Sequence, residues 1–260
     1  MAWLSAFGQA ALRWLSILAV LALWQAFAEA HVVSDFLLPP FSTVLVRLYR
    51  DVASGDIILD IALTLYRALA GFALAAVSGV AVGILIARVP LMRWFFDPLV
   101  SIGLPMPKIA FLPVFILWFG VFDASKILMV AFSAVFPVIV ASWAAADGVE
   151  AVLLWSALSL GAGRHRLLWE IALPASLPQI FTGLQVALPI SLIVEIVNEM
   201  TMGGEGLGGT IMTQMRFADS PGVFAGVLAI AVIGTALVKA MEMIRHRLLL
   251  WHPETLAASA

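Results

Sequence analysis

The sequence contains no cysteine. That removes disulfides, thiolate metal sites and a thiol nucleophile together, and it leaves the redox compartment unreadable. Charge is scarce as well: only 12% of the 260 residues are Asp, Glu, Lys or Arg, where a soluble domain carries about a quarter. With a formal net charge of −2 and no long basic run, a polyanion has no electrostatic footing, so nucleic-acid binding is excluded. The four histidines, His31, His165, His246 and His252, are too scattered for a HExxH-type zinc site. No GxxxxGK[ST] phosphate loop occurs, so any ATP that drives this protein is bound by another polypeptide. Without a nucleophile, a metal-ligand set or an oxyanion site, no catalytic residue, no metal residue and no cofactor is expected on this chain, and an enzyme is not the reading.

What is abundant is apolar surface. Hydrophobic residues make up 63% of the chain and the mean hydropathy is +1.08, so lipid is the solvent for most of it. Spanning a bilayer takes about 20 apolar helical residues. The runs 68–87, 127–146, 171–194 and 220–238 carry no charge, and 1–28 and 99–122 carry one each, Arg13 and Lys108. The expectation is an all-α, polytopic membrane protein with six transmembrane helices. Arg13, the apolar stretch from Trp14 and Ala28-Glu29-Ala30 also resemble a secretory signal. The uncharged residues before Arg13 are unlike a basic n-region, so 1–28 is read as the first span.

The Lys and Arg bias of the connections orients the spans. One side receives Arg13, Arg88, Arg93, Arg164, Arg166, Lys239, Arg245 and Arg247, the other Arg47, Arg50, Arg67, Lys126 and Arg216. Both termini are therefore expected in the cytoplasm. On the outer side, Ser42 is expected to cap an amphipathic helix carrying Val44, Leu45, Leu48 and Val52, ending near Gly55. Gly71, Ala75, Gly79 and Gly83 form a small-residue stripe for close helix packing, and Ser220 with Pro221 starts the last span. Four units follow: 1–36, an N-terminal span; 37–62, the outer amphipathic helix and linker; 63–250, a five-helix core; and 251–260, a tail.

Prolines crowd spans three and five: Pro105, Pro107 and Pro113, then Pro174, Pro178 and Pro189. Broken helices often flank transporter sites, so these two spans are the candidate pathway. Glu195, Asn198 and Glu199 share one face near the outer end of span five. An ionised carboxylate at mid-bilayer costs roughly 2.5–3.5 kcal/mol on insertion scales, so the pair either lines a solute route or sits in outer water. Lys108 either faces a cavity at mid-membrane, where it could attract an anion, or snorkels to the inner interface; snorkelling is preferred. Pro113 completes the pathway set. Gly204 to Gly209 fits GxGxxG in form only, since no strand precedes it.

The connection 150–174 carries the most specific signal. Leu153-Leu154-Trp155-Ser156-Ala157-Leu158-Ser159-Leu160 reads as a short apolar helix halted by Gly161 and Gly163, followed by a second helical turn into Leu173-Pro174. An apolar helix on the charged side needs a partner to bury against. The stretch resembles the EAA motif of binding-protein-dependent ABC importer permeases, keeping Ala157, Gly161, Ile171, Leu173 and Pro174 in register, with Trp155 and Ser156 replacing the motif's Glu and first Ala. Leu38-Pro39-Pro40, Pro105-Met106-Pro107-Lys108, Leu112 to Gly120, Asn198-Glu199-Met200 and Gly206-Leu207-Gly208 are similar to the nitrate/sulfonate/taurine-type branch. The resemblance implies the MetI-like permease fold of type I ABC importers in a bacterial inner membrane. It further implies a homodimeric pore, two separate ATP-binding subunits docked at Trp155, Ser156, Ala157, Gly161, Ile171, Leu173 and Pro174, and an external solute-binding protein. A secondary transporter or channel working alone is the alternative.

Overall fold

The computed structural model describes residues 2–250, with side chains at 15–163 and 165–250. The expected tail 251–260 with His252, and the Arg13 and Arg164 side chains, lie outside the described residues. Among those residues every regular element is a helix, as the apolar runs require.

Helix α1 (Ala2–Glu29) leads to α2 (Phe41–Ser54) and α3 (Asp56–Arg88). Gly55 joins the last two at φ +86°, a left-handed conformation that glycine adopts freely. The α2 N-cap is Pro40, without a side-chain cap. Ser42 lies inside the first turn, and its N–H donates 3.0 Å to Gln25 Oε1 of α1. The expected Ser42 cap is thus replaced by one from another helix. Helix α1 is otherwise lightly held: Leu15, Leu18, Val20, Leu23 and Phe27 are exposed, while Trp24 donates to the Pro39 carbonyl at 3.0 Å and packs on Phe41 and Phe224.

Span three is not continuous. Helix α4 (Pro90–Gly103) stops, and a 3₁₀ turn (Lys108–Phe111) runs into α5 (Leu112–Phe119), with the two arms bent by 97°. Pro105 and Pro107 withhold two backbone donors within three residues, and the helical ladder lapses over 104–107. Helix α6 (Asp123–Asp147) is the central element. The small stripe of α3 lies along it: a Cβ built at Gly71 would stand 2.6 Å from Val130 Cβ, and one at Gly79 would stand 2.8 Å from Val138 Cβ. That intimacy is what the four-residue spacing prescribes.

Helix α7 (Ala151–Ser159) ends at a glycine turn; the one-turn α8 (Arg164–Arg166) and a π turn (Leu167–Ala172) then run unbroken into α9 (Leu173–Met202). Pro174 has no N–H for the Glu170 carbonyl, and the widened turn sits just before it. Ala75, Ala134, Val138 and Ala187 form one buried cluster joining α3, α6 and α9. Helix α10 (Leu207–Arg216) and α11 (Ser220–Leu248) close the chain. The α11 cap is Asp219, whose side chain accepts from Gly222 N–H at 3.1 Å; Ser220 is the first helical residue, contrary to expectation.

Among the described residues four helices are long and apolar enough to span a membrane, and the bent pair makes up to five. In α1 the described apolar stretch is Leu15–Glu29. A count of six depends on that helix.

Candidate functional site

Three places gather the chemistry-bearing residues, and the first is the end carrying α7. Arg88 closes α3 there and donates to the Ala146 carbonyl at 3.1 Å; Arg93 stacks over Trp143 at 5.2 Å; Arg245 reaches Gln185 at 2.9 Å. These residues, expected on one side from sequence, do lie at one end of the bundle. Helix α7 has a single buried residue, Ala157, at 8% exposure. Trp155 is 68% exposed and Leu160 88%, with Val152, Leu153 and Leu158 also open. The helix closes when Ala162 N–H bonds back to the Ala157 carbonyl at 3.0 Å around Gly161 at φ +83°, the six-to-one bond of a Schellman ending. A Cβ at Gly161 would meet nothing within 4 Å, so backbone angle and not space selects glycine. Ser156 is exposed, while Ile171, Leu173 and Pro174 are half-buried where the π turn enters α9.

The second place is the opposite end, where Glu195, Asn198 and Glu199 are 0% exposed. Their side chains are enclosed by the helices of the chain itself. Glu199 accepts from Thr64 Oγ1 at 2.9 Å, from Arg67 Nη1 at 3.1 Å and from Gly208 N–H at 3.0 Å. Arg67 also donates to Asp123 at 2.8 Å and to the Glu205 carbonyl at 2.8 Å. Asp60 accepts from Gly206 N–H at 2.8 Å and from Thr210; Thr64 accepts from Leu207 N–H at 3.0 Å. Lys126 donates to the Gly203 carbonyl at 3.2 Å, and Asn198 to the Lys126 carbonyl at 3.3 Å. The glycine-rich connection between α9 and α10, with Gly203, Gly204 and Gly206 at positive φ, is thus held peptide by peptide by α3, α6 and α9.

Arg67 and Lys126, assigned to outer connections from the sequence, lie within α3 and α6 and are buried. The signal for Arg67 was available, because it lies four residues before Gly71 and three after Thr64, on the face that packs inward. At the surface of the same end, Asp51 first and then Asp219 hold the Arg47 guanidinium above its ordinary value.

The third place is the α4–α5 break. Lys108 donates to the Leu104 carbonyl at 2.5 Å, and its Nζ lies 5.3 Å from the centre of the Phe136 ring. Phe136 is at the middle of α6 (Asp123–Asp147), so the Lys108 ammonium lies beside the midpoint of that helix. The break ahead of it stops α4 short of the bundle end. Pro113 is exposed in the first turn of α5.

Comparison with known proteins follows the same architecture. Residues 79–249 match the family described as binding-protein-dependent transport system inner membrane component. The chain is 31% identical over 241 residues to the taurine transport system permease protein TauC of Escherichia coli K12, covering 90% of this chain and 87% of that protein. It is 32% identical over 232 residues to a putative aliphatic sulfonates transport permease protein, SsuC of Bacillus subtilis 168, covering 89% and 84%. Among solved structures, a chain of the inward-facing MetNI methionine ABC transporter superposes with a TM-score of 0.60 at 19% identity, over 72% of this chain and 91% of that one.

Proposed function

The chain belongs to the family of binding-protein-dependent transport system inner membrane components, and from that membership we propose that it imports a small sulfonate-bearing solute, driven by separate ATP-binding subunits seated on α7. It is the membrane-spanning permease subunit of an ABC transporter. The substrate class draws its support from relatives named for taurine and aliphatic sulfonates. An external solute-binding protein delivers the solute, a second copy of the chain completes the passage, and both termini face the cytoplasm. ATP is hydrolysed on the partner subunits, and no cofactor is needed on this one.

One observation carries the docking assignment: a nine-residue apolar helix stands out from the bundle end where the arginines gather, with Trp155, Leu158 and Leu160 open. Burying an indole and two leucines in a groove releases about 25 cal/mol for each Å² taken from water, enough to anchor a helix that its own chain leaves uncovered. The register of Ala157, Gly161, Ile171, Leu173 and Pro174 matches the family's loop motif. Indole at Trp155 in place of the motif's Glu turns one polar contact into an apolar one. Because α7 packs against the π turn that runs into α9, a movement of α7 is delivered to the helix whose far end holds Glu199.

Co-purification tests this. The tagged chain, expressed with its ATP-binding subunit, should retain that subunit, and Leu158→Asp should release it while the variant still inserts and unfolds at the unaltered temperature. Undiminished retention by Leu158→Asp and Trp155→Asp together overturns the assignment.

A further inference from the structure

Lys108 is a cation with no counter-charge among the described residues. Its ammonium makes one hydrogen bond, to the Leu104 carbonyl, and rests over the Phe136 ring. Among the described residues no carboxylate pairs with it. Depth is fixed by two contacts with one ring: Phe136 lies midway along α6, and a Cβ built on Gly103, the last residue of α4, would stand 2.1 Å from the same ring. The α4–α5 apex therefore sits halfway between the two ends of the bundle. Pro105, Pro107, Ile109 and Ala110 around Lys108 are exposed.

Hydrocarbon cannot be the medium on that face. A mid-depth ammonium with two unused N–H groups is strongly disfavoured against lipid, and interrupted helix at that depth persists only beside protein or a water-filled cavity. We infer that the α4–α5 apex borders an aqueous passage and that Lys108 is its anion site, drawing in the acidic group, sulfonate or carboxylate, of the solute. This deepens the permease reading and rests on it for what enters the passage. The ammonium supplies long-range attraction and free donors without a rigid fork, so it can hold an oxyanion briefly and release it. Leu104 O and Phe136 keep the charge at the apex between passages.

The absence of cysteine makes the test direct. Ala110→Cys and Ile109→Cys, each in the full chain in membrane vesicles, would be labelled with two methanethiosulfonates of similar size, the ethylsulfonate anion and the ethyltrimethylammonium cation. Each rate is divided by that for a small thiol in solution. We expect both reporters to be labelled, with the corrected anion-to-cation ratio about tenfold above unity from one nearby positive charge. Lys108→Gln should bring it to about one, and Lys108→Arg should restore it. Failure of both reporters to react in vesicles, while they react after unfolding in detergent, overturns the aqueous passage; a ratio indifferent to Lys108→Gln overturns the anion site. No ATP-binding subunit enters this assay, so its failure and that of the docking assignment are separable.

Discussion

Arg67 of α3 and Glu199 of α9 form an ion pair of 3.1 Å between side chains that are 6% and 0% exposed. The pair is supported by Thr64 from the same helix as Arg67 and by the Gly208 amide, so the carboxylate accepts from three donors and the guanidinium is spread over Asp123, Glu199 and the Glu205 carbonyl. Three long helices and the turn into α10 are thereby tied at one end, opposite the end that carries α7.

Removing one member of such a pair strands the other. Arg67→Ala should destabilise by about 3–5 kcal/mol, because an uncompensated buried carboxylate remains. Glu199→Gln, which keeps an acceptor for Thr64 and Gly208, should cost less. Thermal unfolding in detergent, comparing the two variants, reads the order; equal and small shifts would show that the network is dispensable.

The α3–α6 seam admits no added atoms. Gly79→Ala places a methyl 2.8 Å from Val138 Cβ and should cost about 1–3 kcal/mol through overpacking. Val138→Ala removes the Cγ1 contact at 2.8 Å but keeps the Cβ contact, so in the same chain it should recover only part of the loss, and a double-mutant cycle on unfolding temperature checks the coupling.

Asp219 has two tasks, capping α11 through Gly222 and pairing with Arg47 of α2 at 2.6 Å. Asp219→Ala should cost about 1–2 kcal/mol, the range of a lost cap, whereas Ser220→Ala should be close to neutral. The two unfolding midpoints distinguish Asp219 from Ser220 as the working cap.

Gly161 is selected by its backbone angle alone. Gly161→Asn should be tolerated, since Asn enters the left-handed region readily, while Gly161→Val should cost about 1–2 kcal/mol of local strain and misdirect α7. Limited proteolysis of the connection 150–174 should show faster cutting in the valine variant only.

Much of this was legible in the residues because periodicity speaks for what a helix does with its neighbours. The Gly71, Ala75, Gly79 and Gly83 spacing foretold a close seam, and 104–107 with its two prolines foretold a break. The 97° turn at that break was not legible, because proline forbids a ladder without stating a direction. Caps were misplaced by one residue at Ser220 and assigned to the wrong helix at Ser42, since a side chain from α1, 17 residues away in sequence, reached the site first. The buried network was the largest omission. Arg67 and Lys126 look like loop cations beside apolar runs, and partners distant in sequence, Asp123 and Glu199 for the first and Gly203 for the second, explain their burial. The exposed apolar face of α7 was expected, because nothing else in the chain offered to cover it.

The most direct measurement is ATP-dependent uptake of radiolabelled taurine into proteoliposomes containing this chain, its ATP-binding subunit and its solute-binding protein, with and without Leu158→Asp. Accumulation that needs ATP in the unaltered complex, and that is lost in the variant while the variant stays folded and inserted, is the expected result. Equal accumulation by the variant, or flux through vesicles containing this chain alone, contradicts a permease moved through α7 by a separate ATPase.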